Sequence, residues 1–347
     1  MTPDQTAATV IAGHRPTEND MLAYWQATDE GLCPKAETVA VLAALSAGAP
    51  DVAMMRSFVR YIRRAYPPVT LPSAHEAVNI VGTGGGHSTF NISTASAFVA
   101  AAAGGKVLKS GSSAYSSSVG SGDILNALGL ARSVSDDFTG AMLAETGIAF
   151  AAPQRYAPIC KRLAIAALPL NFKVIGRFVN GLGPLISPYQ MRANVIGASS
   201  AALFEQIHSI ARTLDITSLL VHSTLGVDEF LSIGRNRWLW SKEAQANHLD
   251  PLDMGLCPGA LSDLKGGGLS ENIAILTEVL KGQGNRACTE TVALNAGAAL
   301  YAGGVAQDLR LGTSMALDCL AQGAPFDKLE QAQAFAKSAT TRSQRVA

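Results

Sequence analysis

Val78-Asn79-Ile80-Val81-Gly82-Thr83-Gly84-Gly85-Gly86 is the stretch that decides the fold. Val78 to Val81 is a short, largely apolar run typical of a buried strand, and the glycines after it predict a tight loop. Asn91-Ile92-Ser93-Thr94 then opens an alanine-rich helix, residues 95–103, which ends at a glycine pair. Lys106 to Lys109 predicts a second strand. Strand, loop, helix and strand form a βαβ unit, so the sequence predicts a parallel sheet.

Helical patterns precede this unit, and both helices and strands follow it. Up to about residue 67 apolar residues recur at helical spacing, with helices expected to begin at Asp20, Pro34 and Asp51. Strands are predicted over 148–150 and 219–221, and helices over 123–128, 200–214, 270–280, 291–302 and 314–322. The sequence therefore predicts an α/β protein with two domains. Residues 1–73, joined by helices from about 165–195, form a small helical domain, and residues 74–347 form a larger α/β domain with a mostly parallel central sheet.

The composition excludes several classes of protein. Of the 347 residues 48% are hydrophobic and 16% charged, too apolar a balance for a disordered chain. The 27 basic and 27 acidic residues cancel, which argues against nucleic-acid binding through a broad charged surface. Five scattered cysteines without C-x-x-C spacing predict reduced thiols rather than a zinc site or disulfides. We find no apolar run of roughly 18 residues and no signal-peptide pattern, so we expect a soluble cytoplasmic protein.

The glycine loop has two interpretations of equal weight. Glycines at the end of a strand let several backbone N–H groups converge on an anion, and the start of the next helix favours a phosphate. The other interpretation is a tight strand-to-helix turn with a serine cap. The pattern is not the dinucleotide fingerprint, and it lacks the lysine and hydroxyl residue that close a P-loop.

Two further segments point to a site at the same edge of the sheet. The serine- and glycine-rich segment from Lys109 to Gly122 is long for a loop inside a βαβ unit, and such loops bind ligands at the carboxyl ends of strands. Asp228 and Glu229 follow the strand predicted over 219–221. Adjacent carboxylates are usually a solvated surface pair, but beside phosphate-binding loops they are suited to Mg²⁺.

Several motifs together resemble the anthranilate phosphoribosyltransferase family, in one order over about residues 20–335. The matching pieces are Val81-Gly82-Thr83-Gly84-Gly85, Asn91-Ile92-Ser93-Thr94-Ala95, Lys109, Gly111, Ser116-Ser117, Gly120-Ser121, Asp123, Asn180-Gly181-Leu182-Gly183-Pro184-Leu185, Gly226-Val227-Asp228-Glu229, Gly266-Gly267 and Glu271-Asn272. The resemblance implies the fold of nucleoside phosphorylases and phosphoribosyltransferases, and a homodimer formed through the helical domain. It also implies transfer of a phosphoribosyl group from phosphoribosyl pyrophosphate, bound with Mg²⁺, to a small aromatic amine or acid in tryptophan biosynthesis.

The resemblance also implies which residues bind substrate and metal. Gly82 to Gly85 would cradle pyrophosphate, the start of the following helix would hold phosphate, Lys109 would pair with the donor, and Asp228 and Glu229 would bind Mg²⁺. No catalytic side chain is assigned. The implied substrate-binding residues are Gly82, Thr83, Gly84, Gly85, Asn91, Ser93, Thr94, Lys109, Gly111, Ser112, Ser113, Ser117 and Ser121.

The chain departs from the family pattern mainly on the acceptor side. Ser110, Ser112 and Ser113 stand where the family has histidine, asparagine and arginine, and Gly86 and Gly268 each replace an aspartate. The family's arginine that faces the acceptor carboxylate is also missing near Leu170, although Lys173 and Arg177 are close in sequence. These changes predict a roomier and less positive pocket, with anthranilate as a poor substrate. Two alternatives remain open: a paralogue with another acceptor, or a non-catalytic relative that binds a phosphorylated ligand or nucleic acid.

Overall fold

A seven-stranded, mostly parallel sheet forms the centre of the protein. The computed structural model describes residues 1–48, 50–111, 120–130 and 135–346. The strand order is β3-β2-β1-β4-β5-β6-β7; the pairings from β3 to β5 are parallel, and β6 and β7 are antiparallel. The strands are β1 (Val78–Gly82), β2 (Val107–Lys109), β3 (Ile148–Phe150), β4 (Ala193–Gly197), β5 (Ser218–Ser223), β6 (Asn236–Trp240) and β7 (Asn247–Leu249). The predicted α/β fold class is confirmed.

Three of these strands were absent from the sequence-based prediction. β4 pairs with β1 from Val78–Ala193 to Gly82–Gly197, so it lies at the centre of the sheet. In β4 the Asn194 Oδ1 accepts from Asn79 Nδ2 of β1 at 3.3 Å, so the buried amides of the two central strands satisfy each other across the sheet. β6 and β7 close one edge as antiparallel strands.

Helices cover the sheet and make up the N-terminal region. They are α1 (Pro3–Ile11), α2 (Glu18–Glu30), α3 (Lys35–Ala47), α4 (Val52–Ala65), α5 (Ile92–Ala102), α6 (Ser121–Ala127), α7 (Asp136–Thr146), α8 (Pro158–Ala167), α9 (Phe172–Ile175), α10 (Arg177–Leu182), α11 (Ala201–Thr213), α12 (Leu269–Leu280), α13 (Arg286–Ala302), α14 (Leu309–Ala321) and α15 (Ala324–Val346). In the described part of the chain, no helix combines the length and apolar character needed to cross a membrane.

The starts of the first helices follow from their caps. Asp20 does not cap α2 as predicted. The cap is Thr17, because its hydroxyl accepts from the Asp20 N–H at 3.2 Å and the Asp20 carboxylate accepts from the Thr17 N–H at 3.2 Å. The prediction mistook the third residue of a capping box for the cap itself. The predicted starts at Pro34 and Asp51 are confirmed, and Asp51 caps α4 by accepting from the Met54 N–H.

Two clusters of buried apolar side chains hold the elements together. One lies between the sheet and helices α5, α13 and α14. The other joins the N-terminal helices to α8, α10 and α11, with Trp25 stacked on Phe178 at 5.9 Å and in edge contact with Phe58. The segment around Phe178 thus packs with the N-terminal helices. The division into two domains stays a prediction.

Candidate active site

Most of the predicted site residues line one cavity of about 770 Å³. It opens at the carboxyl ends of β1 and β2, where ligands bind in α/β sheets. Thr94 is fully buried and does not line the cavity, while Ser112, Ser113 and Ser117 lie outside the described residues. The predicted residues that line it are Gly82, Thr83, Gly84, Gly85, Asn91, Ser93, Lys109, Gly111, Ser121, Asp228 and Glu229.

The glycine loop after β1 offers only part of its backbone to a ligand. The Thr83 N–H donates to the Gly197 carbonyl at 2.9 Å, and the Gly84 N–H donates to Asp228 Oδ2 at 2.6 Å. Gly84 and Gly85 have φ angles of +71° and +86°, a conformation that favours glycine. Among the described residues, none accepts from the Gly85 or Gly86 N–H, and both glycines line the cavity. In the predicted anion cradle, the N–H groups of Gly85 and Gly86 are therefore the ones that can donate to a ligand.

Glycines also allow the Asp228 segment to approach the sheet. A Cβ added at Gly197 would overlap the Asp228 carbonyl oxygen, and one at Gly82 would overlap the Asp228 carboxylate. At Gly86 a Cβ would overlap the Gly226 carbonyl oxygen, so the aspartate of the family pattern does not fit this backbone arrangement. Glycine at position 86 thus allows the loop after β1 to pack closely against the segment that contains Gly226.

The start of α5 faces the same cavity. The side chain of Asn91, the residue before the helix, does not cap it, and Ser93 at its second position is half-buried at the cavity wall. A helix N-terminus with exposed N–H groups attracts phosphate. Thr94 lies beneath, and its buried hydroxyl has no hydrogen-bond partner in the described structure. Of the three residues predicted to hold phosphate, Asn91 and Ser93 line the cavity and Thr94 does not, and their role stays a prediction.

The side chain of Lys109, at the end of β2, bonds to both β1 and α5. Its Nζ donates to the Ile80 carbonyl at 2.7 Å and to Ser93 Oγ at 3.2 Å, and the side chain is only 4% exposed. Burial lowers the pKa of Lys109 to about 8, although the nearby Glu229 and Asp228 charges act in the opposite direction. The ammonium is thus held at the cavity wall by neutral oxygen acceptors and can still bind an anion.

We predict that Lys109 makes anion binding depend on pH. The free protein loses the Lys109 proton above about pH 8, so its affinity for pyrophosphate should fall there by up to about tenfold per pH unit relative to Lys109→Met. Because both proteins bind the same ligand, titration of pyrophosphate itself cancels in the ratio of their dissociation constants. Calorimetry between pH 6 and 10 measures this ratio, and a constant ratio would contradict the prediction.

Asp228 and Glu229 form a half-buried acidic pair at the cavity. Burial raises the pKa of Asp228, and burial together with the Asp228 charge raises the pKa of Glu229 well above its usual range. A cation beside these carboxylates would relieve both effects. Among the described residues, no group of three or more His, Cys, Asp or Glu side chains converges. A pair of carboxylates suits Mg²⁺, which commonly takes one or two carboxylates and completes its coordination shell with phosphate oxygens and water.

The described ends of the serine-rich segment are held by neighbouring side chains. The Ser110 N–H donates to Asn79 Oδ1 at 2.8 Å, and Ser110 Oγ accepts from Asn79 Nδ2 at 2.7 Å. Beyond it, the Gly111 N–H donates to the Tyr156 hydroxyl at 3.2 Å. Ser110, where the family has histidine, is therefore a buried residue of the cavity lining at the end of β2, and its hydroxyl is bonded to Asn79.

The opposite wall of the cavity was missed by sequence reasoning. It comes from the two residues before α8, from α8 to α10 and from the turn after α10. The residues are Tyr156, Ala157, Pro158, Cys160, Lys161, Ala164, Phe172, Val179, Asn180, Gly183 and Ile186. The spacing of residues 157, 160, 161 and 164 is a helical stripe that could have been read from the sequence. Arg177, considered as a cation for the acceptor, donates instead to the Ser46 carbonyl at 2.8 Å and does not line the cavity.

Comparison with known proteins agrees with this architecture. Residues 74–326 match the family model described as "Glycosyl transferase family, a/b domain". An anthranilate phosphoribosyltransferase of Thermomicrobium roseum is 34% identical over 330 residues, 93% of each chain. The crystal structure of the enzyme of that name from Thermus thermophilus superposes with a TM-score of 0.83 at 32% identity, covering 96% of this chain and 99% of that one. At 21% identity, the Saccharomyces cerevisiae protein in complex with PRPP and Mg shares the fold with a TM-score of 0.78, covering 97% of this chain and 98% of its own.

Proposed function

Because the chain belongs to the anthranilate phosphoribosyltransferase family, we propose that it transfers the phosphoribosyl group of phosphoribosyl pyrophosphate to a small aromatic amine. One observation carries the proposal: a single cavity joins anion-binding groups on one side to an apolar wall on the other. The first side suits a pyrophosphate-bearing donor, and the second suits an aromatic ring.

The donor half is built from open N–H groups, hydroxyls and one ammonium. Gly85 and Gly86 offer backbone donors, Asn91 and Ser93 lie at the start of α5, and Lys109 supplies a positive charge. Such groups stabilise the negative charge that grows on a leaving pyrophosphate, and they are fixed before the reaction begins. The same groups would hold the donor in the geometry needed for attack at the ribose.

Mg²⁺ fits the remaining carboxylates. Asp228 and Glu229 would hold it, with Asp228 already fixed by the Gly84 N–H. When bound, Mg²⁺ would neutralise part of the negative charge of the pyrophosphate. The yeast protein in the comparison contains both PRPP and Mg, which supports Mg²⁺ as the cofactor here.

The transfer needs positioning more than acid–base chemistry. The amine nitrogen attacks C1 of the ribose, the N–C1 bond forms, and the bond from C1 to pyrophosphate oxygen breaks with its electron pair leaving on pyrophosphate. One proton passes from the nitrogen to solvent. An aromatic amine is unprotonated near neutral pH, so no strong base is required.

The experiment is amine-dependent release of pyrophosphate. With saturating donor and Mg²⁺ we expect turnover of an aromatic primary amine. We expect kcat/KM for anthranilate below about 10⁴ M⁻¹s⁻¹, because the arginine that faces the acceptor carboxylate in the family pattern is missing near Leu170. A higher value would contradict the expected weakness toward anthranilate. A protein that binds pyrophosphate but releases none from the donor with any of a panel of aromatic amines would overturn the proposal. That result would favour a non-catalytic relative.

We also propose that the protein is a cytoplasmic homodimer that binds neither membrane nor nucleic acid. Support for the dimer comes from exposed apolar side chains close together in sequence on α8, α9 and their connection: Ile165, Leu168, Leu170 and Val174. Support for the compartment comes from the five cysteines, all free thiols. The equal numbers of acidic and basic residues argue against nucleic acid. Sedimentation analysis tests the dimer.

A further inference from the structure

One face of α8 borders the cavity and carries a single charged residue. Ala157 lies just before the helix, and Cys160, Lys161 and Ala164 continue the same stripe at helical spacing. The other three side chains are short, so Lys161 extends furthest from this face. Lys161 is exposed and lines the cavity, so α8 contributes an ammonium group to the cavity wall.

Lys161 differs from other cations nearby in having no partner among the described residues. Lys109 is bonded to the Ile80 carbonyl and Ser93, Arg162 lies 3.6 Å from Asp29, and Arg177 donates to Ser46. Lys161 lines the cavity without a hydrogen bond or ion pair within the described chain. Its charge is therefore available to a ligand.

The surfaces around Lys161 suit a flat ring. Phe172 and the buried Val179 and Ile186 line the cavity with apolar surface. Gly176 lets the Phe172 ring lie directly over its backbone, because an added Cβ would come 2.6 Å from Phe172 Cζ. A ring in this space would be bordered by apolar groups, with an ammonium at the α8 side.

We infer that Lys161 determines specificity by binding an anionic substituent, a carboxylate, on the aromatic acceptor. The inference rests on the proposed function. Bound pyrophosphate would itself fill the donor side of the same cavity with negative charge, so a carboxylate on the acceptor is favoured beside Lys161 and the ring is oriented with its acid toward α8. The amine then faces the ribose. The sequence analysis, which expected a less positive pocket, did not include this lysine.

The experiment compares an acid with its neutral isostere. Anthranilate and anthranilamide are titrated calorimetrically in the presence of pyrophosphate and Mg²⁺, and both are assayed with the full donor. Lys161→Met should weaken anthranilate binding and lower its kcat/KM by about tenfold or more, with anthranilamide changed less than about twofold. Lys161→Arg should restore the preference for the acid. Lys242→Met removes an exposed lysine outside the cavity and should change neither ligand.

The outcomes separate the inference from the proposed function. Absence of turnover with either compound, together with Lys161-dependent binding of the acid, would sink the transferase proposal and keep the lysine's role. Equal losses for acid and amide in Lys161→Met, or a wild-type protein that binds both equally, would overturn the inference whether or not turnover occurs. Circular dichroism of each variant confirms the fold, and the exposed, unbonded side chain makes misfolding unexpected.

Discussion

Replacing Asp228 and Glu229 together by alanine is expected to abolish Mg²⁺-dependent binding of pyrophosphate, with a loss of affinity of at least about 100-fold. Both carboxylates line the cavity, and among the described residues no third His, Cys, Asp or Glu side chain joins them in a metal-binding group. Metal-free binding of inorganic phosphate should be unchanged or stronger. Two negative charges leave the cavity, and the Gly84 N–H is released from Asp228 Oδ2.

The opposite signs of these two effects make the test specific. Unfolding would weaken both kinds of binding, whereas loss of a metal site weakens only one. The matched control is Asp318→Ala with Glu330→Ala, which removes the same charge from exposed positions on α14 and α15. Calorimetry with pyrophosphate and with inorganic phosphate, each with and without Mg²⁺, gives the affinities. Unchanged metal-dependent affinity in the cavity variant would show that the acidic pair binds no metal.

Gly197→Ala is expected to destabilise the protein strongly, by more than about 3 kcal/mol. The new Cβ would overlap the backbone carbonyl oxygen of Asp228, and backbone cannot move aside as a flexible side chain does. Gly197 also sits in β4, paired with Gly82 of β1 at the centre of the sheet, so relief requires separation of buried strands or withdrawal of the Asp228 segment. Either change damages the site as well as the fold.

Thermal and denaturant unfolding measure this effect. Gly268→Ala is the matched control: nothing lies within 4 Å of an added Cβ there, so stability should change by less than about 1 kcal/mol. A folded Gly197→Ala protein with wild-type stability would show that the Asp228 segment does not press against the sheet as described. If the variant accumulates only as insoluble protein while Gly268→Ala is soluble, the expectation holds.

Local sequence was sufficient for the βαβ unit and for the position of the glycine loop. Val78 to Val81 forms a buried strand, Ile92 to Ala102 forms a helix, and Lys109 ends the next strand as predicted. Each depends on residues adjacent in the chain: apolar periodicity, helix-forming alanines and glycine stops. The position of Asp228 and Glu229 just after a predicted strand indicated a site at the same edge of the sheet, and both residues line the cavity. Ser112, Ser113 and Ser117 lie outside the described residues, and their predicted role remains a prediction.

Contacts between distant residues were decided by the tertiary structure alone. The Gly84 N–H donates to Asp228, which lies 144 residues away in the sequence. This N–H is therefore not available to an anion, although the loop sequence alone indicated that it would be. Lys161 reaches the site because α8 packs with the N-terminal helices, and β4 enters the sheet beside β1. Secondary structure follows local preferences that a sequence displays, whereas side-chain partners depend on the packing of whole elements, which no local pattern specifies.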